Sequence, residues 1–123
     1  MTDLYQALWQ LLRRTGQPVY LAGQVPDGAP FPYLTMLVRG SGALEPGTLE
    51  VTAWHRGPDA NAQALRGLDA LVALLESRGT AVRFTGGLAT LFPADPFFEL
   101  VGDADAVGAR ARFTLRCIVK GLN

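Results

Sequence analysis

Ala111, Phe113, Leu115, Cys117 and Val119 recur at every second position near the end of this chain, with Arg110, Arg112, Thr114 and Arg116 set between them. Only an extended strand sends alternate side chains to opposite faces, so this pattern predicts a strand from about Ala109 to Val119 with one apolar and one cationic face. A face of that kind has to lie in a sheet covered on one side. The rest of the chain must supply the neighbouring strands and the cover.

Two helical stripes provide the cover. Leu4, Tyr5, Leu8, Leu11 and Leu12 recur at helical spacing, with Thr2 or Asp3 placed as an N-cap, Gly16 as a stop and Trp9 near the edge of the stripe, which predicts a helix over about residues 3–14. After Gly57-Pro58-Asp59, with Asp59 offered as an N-cap, Ala64, Leu65, Leu68, Leu71, Val72 and Leu75 hold a second stripe as far as Gly79, a helix over 59–78.

The strands fall between them. Pro18 ends any helical option and Val19-Tyr20-Leu21 reads as a short strand, followed by a segment from Gly23 to Pro32 stiffened by Pro26, Pro30 and Pro32. Tyr33 to Val38 and Thr48 to Trp54 make an antiparallel pair across the Gly40–Gly47 loop, with Leu49, Val51 and Ala53 on one face and Thr48, Glu50, Thr52 and Trp54 on the other. Residues 81–85 and 88–92, separated by Gly86-Gly87, read as a tight hairpin or as one strand with a glycine bulge, and Phe97 to Val101 reads as a further strand. No strand–helix–strand spacing repeats. The expected fold is α+β: a mostly antiparallel sheet of about four to six strands with two helices packed on one face, in a single domain spanning residues 1–123.

The totals agree with one domain, since a chain of 123 residues buries roughly two thirds of its unfolded surface. With 49% hydrophobic and only 18% charged residues the chain is not disordered, and the low charge hints at buried partner contacts. Eleven basic and eleven acidic side chains cancel, leaving no overall field to steer the protein to nucleic acid or to an anionic membrane. A single cysteine, Cys117, excludes an intramolecular disulfide and suggests a reducing compartment. The N-terminus lacks the pattern of a signal peptide, and no run of ~18 apolar residues exists to span a bilayer, so a soluble protein that stays where it is made is expected.

Catalytic and metal chemistry find little support. His55 is the only histidine and follows a strand; without a nucleophile motif beside it, the simpler reading is a strand-end histidine that is exposed or bonded locally. Cys117, on the apolar face of its strand, reads as a small buried hydrophobe. Asp95, Glu99, Asp103 and Asp105 lack the calcium-loop spacing, and the Gly40-Ser41-Gly42 and Gly86-Gly87 pieces lack the lysine and the setting of a phosphate cradle. No catalytic residue, cofactor or metal is expected, and the protein is not read as an enzyme.

Surfaces remain. Arg110, Arg112 and Arg116 share one strand face by their period of two, and a neighbouring strand could add Arg83. Such a row is either a solvated face paired with Glu50 or Glu99, a subunit interface, or, less favoured in a neutral chain, a nucleic-acid surface. Trp54 on a polar face and Phe97-Phe98 directly after Pro96 are candidates for exposed aromatics of the kind that interfaces concentrate.

At Val25-Pro26-Asp27-Gly28-Ala29-Pro30-Phe31-Pro32-Tyr33, leading into the strand Leu34 to Val38, the sequence resembles the small tail terminator or tail completion proteins of tailed bacteriophages and prophages. The layout of residues 3–14, 19–21, 24–33, 48–54, 59–78 and 109–119 is similar to theirs; the Gly86–Phe98 segment does not match. The resemblance implies a homo-oligomeric ring, usually of six subunits, that caps the tail tube, stops its polymerisation and docks the head connector. It implies assembly in the bacterial host cytoplasm and a final place in the virion tail. Pro30, Phe31, Pro32, Tyr33, Trp54, Arg83, Phe97, Phe98, Arg110, Arg112 and Arg116 are then the expected interface residues. The alternative is a small α+β module that binds nucleic acid or another protein.

Overall fold

A computed structural model of the chain describes residues 2–40, 45–75, 80–102 and 106–119. Its elements run in the order α1 (Thr2–Arg13), β1 (Val19–Leu21), β2 (Tyr33–Arg39), β3 (Gly47–His55), α2 (Ala60–Leu74), β4 (Thr80–Phe84), β5 (Gly87–Gly102) and β6 (Val107–Val119). The expected α+β class holds. Six strands form one sheet in the order β1-β2-β3-β6-β5-β4, antiparallel throughout except for the parallel pairing of β1 with β2.

The alternation that opened the sequence sets the middle of this sheet. β6 lies between β3 and β5, and its Ala111, Phe113, Leu115 and Cys117 are buried. Directly across from them on β3 stand Val51 and Leu49, opposite Ala111 and Phe113, and further out on β2 the buried Leu34, Met36 and Val38 continue the same face. Leu4, Leu8, Leu11 and Leu12 of α1 and Ala64, Leu68, Leu71 and Leu75 from α2 and its C-terminal cap close over it. Burying each leucine contributes about 1.5–3 kcal/mol relative to leaving it in water, so the two stripes fix where the helices dock. α2 packs on β3 and β6, whereas α1 touches both β1 and β4, the two ends of the strand order; the sheet therefore curls around α1.

Local punctuation follows the sequence with two exceptions. Gly16 stops α1 with φ +87° and an N–H donated to Arg13, and Gly86, with φ +101°, turns β4 into β5, so the hairpin reading is the right one of the two. Asp59 does occupy the N-cap of α2, but its side chain makes no capping hydrogen bond; the proposed stop at Gly79 lies outside the described residues. The strands expected separately at 88–92 and 97–101 are one long strand, β5, which stays beside β6 through a register shift between Pro93 and Phe98. The two prolines cannot donate to a ladder, and the irregularity is where the chain accommodates them.

The border of the sheet at β1 and β2 is closed by side chains and a turn. Val19 O accepts the indole N–H of Trp9 at 2.8 Å, Leu21 O accepts the N–H of Gln24 at 3.0 Å, and Val38 O accepts the hydroxyl of Tyr5 at 3.4 Å. No helix is long and apolar enough to cross a membrane among the described residues.

Candidate interaction surface

Both helices lie on the apolar face, and among the described residues no element covers the opposite face of β2, β3, β6 and part of β5. Its centre is a ladder of charges. Glu50 on β3 stands opposite Arg112 on β6, and Glu99 on β5 stands opposite Arg110. Arg39 Nε lies 3.6 Å and Arg112 Nε 3.7 Å from Glu50 Oε1; Arg112 Nη2 lies 2.7 Å and Arg110 Nη1 3.3 Å from Glu99 Oε1. Arg110 Nε also donates a long hydrogen bond of 3.4 Å to Thr52 Oγ1. Three guanidinium groups and two carboxylates thus run across three strand seams. Glu50 is the more enclosed acid, with 13% of its side chain exposed against 43% for Glu99.

This geometry realises the paired-face reading of the arginine row for Arg110 and Arg112. Arg116 is exposed and takes no part in the ladder; its strand neighbour is Thr90, whose hydroxyl donates to the Arg116 carbonyl at 3.4 Å. Arg83 does not join the row. It sits on β4, with β5 between it and β6 and Leu88 directly opposite, and it lines an open cleft of about 530 Å³ with Asp3, Gln6 and Gln10 of α1. A sequence shows that two strands carry arginine but not which strand intervenes.

Trp54 occupies the polar face as its period predicts, half-buried, opposite Tyr33 on one side and Gly108 on the other. Its indole N–H donates to Thr35 Oγ1 at 3.0 Å. The ring lies over Gly108: a Cβ there would stand 3.1 Å from Trp54 Cε3 and 2.6 Å from Thr52 Cγ2. A glycine inside a strand often marks such a close approach, and the Gly108 backbone, with no positive φ, is of a kind any residue adopts, so the constraint is space alone.

The loop entering β2 forms an aromatic corner. The rings of Tyr20 and Tyr33 meet edge to face at 5.5 Å, Phe31 lies 5.0 Å from Tyr33, and the Arg56 guanidinium sits 4.6 Å over the Phe31 ring. Pro30 and Pro32 are exposed, and the Phe31–Pro32 peptide is cis. Phe97 and Phe98 part company. Phe97 packs edge to face on Phe113 at 5.4 Å and belongs to the core, which removes it from the exposed candidates, whereas Phe98 is 50% exposed. The sequence offered both as candidates for exposed aromatics; Phe97 lies in the irregular stretch between Pro93 and Phe98, outside the regular pairing, and turns to Phe113.

The remaining candidates carry no convergent chemistry. His55 is buried where β3 meets α2, its Cε1 3.2 Å from where a Gly67 Cβ would lie, so it is not the exposed strand-end residue that was one of the expected forms. Burial lowers its pKa below the ordinary 6.5, opposed in part by a hydrogen bond with the Ala53 backbone. Burial raises the Cys117 thiol. Among the described residues no three His, Cys, Asp or Glu side chains gather to hold a metal ion. Asp103, Asp105 and the Asp95 side chain lie outside the described residues.

Thr35, Arg39 and Gly108 were missed by the sequence reading. Arg39 had a signal, since it continues the outward phase of Tyr33, Thr35 and Leu37 to the end of β2. Comparison of the chain with protein-family models, with curated proteins and with solved structures gives no match.

Proposed function

We propose that this chain is a structural assembly subunit of the tail-terminator type, which forms a ring at the end of a bacteriophage or prophage tail tube and joins it to the head. The observation that supports it best is the uncovered sheet face. The charges at its centre are paired with one another, so a partner surface can dry that centre without stranding an ion, and the Trp54 ring stands at its margin. The proline-stiffened aromatic corner at Phe31 and Tyr33 adjoins Trp54 through the register of β2 with β3, giving a contact area with little conformational freedom to lose on binding.

The same ion pairs weigh against the alternative use of this face for nucleic acid, because phosphate binding would have to displace Glu50 and Glu99. The test is imaging of tail tubes by negative stain after mixing with the purified protein. Rings seated on tube ends are expected, with Trp54→Ala abolishing them. Tubes left bare, together with a gel shift on DNA that weakens steeply with salt, would replace this reading by the alternative.

A further inference from the structure

Four of the six large hydrophobic side chains that are exposed among the described residues lie on two elements: Leu65 and Val72 on α2, Phe98 and Leu100 on β5. Gly67 faces Ala53 and His55 of β3, so that flank of α2 looks toward β3. Leu65 and Val72, two turns apart on the other flank, look toward β6 and β5. Phe98 and Leu100 stand opposite Ala111 and Ala109, on the face that carries the helices. Both pairs therefore lie on the helix-bearing side of the sheet.

Here β5 is a strand border with no neighbour among the described residues. Among the described residues β4 pairs with Gly87–Leu91, and no strand lies beside the outer side of β5 beyond Leu91. The register shift and two prolines interrupt the first part of that stretch, and regular pairing with β6 resumes at Phe98 and lasts to Gly102. Phe98–Gly102 is thus a clean, exposed, partly apolar strand edge, a feature that recruits another strand edge. The far border of the sheet cannot serve, because its outward carbonyls at Val19, Leu21 and Val38 are already occupied by Trp9, Gln24 and Tyr5. β4 lies against α1. The open edge that a second copy offers is the same one.

We propose that two copies of this chain pair through Phe98–Gly102 of β5, antiparallel about a twofold axis at Leu100. The contact is isologous, so each copy covers the open edge of the other. In this register Leu100 meets Leu100 of the second copy and Phe98 lies across from its Gly102, where no side chain competes for the space. Glu99 falls opposite Val101 rather than another Glu99, and its charge is already held by Arg110 and Arg112 on the other face. The two sheets become continuous, and the four apolar side chains of each copy share one core beneath the two α2 helices. The pairing needs no tail tube and is independent of the tail-end reading.

Sedimentation of the intact chain over a wide concentration range tests it. A monomer–dimer equilibrium is expected, with Leu100→Lys and Phe98→Lys each weakening it about tenfold or more while circular dichroism stays unchanged. Oxidised Leu100→Cys should form a covalent dimer, since directly opposed Cβ atoms in an antiparallel pair come close enough for a disulfide, and Tyr20→Cys on the closed border should not. The proposal is overturned by a chain that stays monomeric with no cross-link at residue 100, by association that both lysine variants leave intact, or by equal cross-linking at residue 20.

Discussion

Glu99 stands directly opposite Arg110, yet its shorter ion pair runs diagonally to Arg112, at 2.7 Å against 3.3 Å. Arg112 consequently serves both acids of the open face, and its Nε, buried and without a hydrogen bond, is aimed at Glu50. Arg112→Met should cost about 1–3 kcal/mol, because the enclosed Glu50 loses one of its two cations. Arg110→Met should cost less than about 1 kcal/mol, as its partner is well exposed. Urea unfolding at low and high salt checks the order, and equal losses would assign no special place to Arg112.

Trp54 and Gly108 make a second pair. Gly108→Ala puts a methyl group within 2.6 Å of Thr52 Cγ2 and against the Trp54 ring, and such overpacking costs about 1–3 kcal/mol. Trp54→Phe keeps the ring but loses the hydrogen bond to Thr35, about 1 kcal/mol. Combined with Trp54→Ala, Gly108→Ala should lose part of its penalty, a coupling that a double-mutant cycle reads directly.

Stability should depend on pH through His55. Burial holds its folded-state pKa below the unfolded value of about 6.5, so the unfolded chain binds the proton more readily. The contribution is present above about pH 6.5 and is lost as pH falls through the folded-state pKa. Thermal unfolding from neutral to mildly acidic pH should show the midpoint falling, and His55→Gln should flatten that slope. An unchanged slope in the variant would place the titrating group elsewhere.

Cys117 is buried and its thiol is pushed up by that burial, so the reactive thiolate is scarce in the folded protein. A thiol reagent should label it slowly under native conditions and at once in denaturant. Fast native labelling would show that β5 and β6 open locally near their Ala89–Cys117 pairing.

Period and punctuation carried the strands and helices because each of those signals is local. The alternation at Ala111 to Cys117 placed β6, and the stripes at Leu4 to Leu12 and Ala64 to Leu75 placed both helices. Neighbourhood was not legible. Arg83 was joined to the arginine row because nothing local shows that β5 lies between β4 and β6. Phe97 and Phe98 were read alike because the irregular stretch that turns Phe97 to Phe113 is a compromise between two strands. Leu65 and Val72 were counted with the core, although a stripe of six apolar positions in that helix is broader than the sheet beneath it can cover.

The strand order also governs how this chain comes into being. β3 acquires β2 as soon as it is made, but its other partner is β6, the last of the described strands, and α2 is seated on both. Until residues 107–119 have left the ribosome, α2 has only half a floor and β5 has no long neighbour, so the nascent chain holds apolar segments it cannot yet put away. A protease or a premature stop that removes β6 would therefore not trim the domain but prevent it, leaving fragments for the cell to clear.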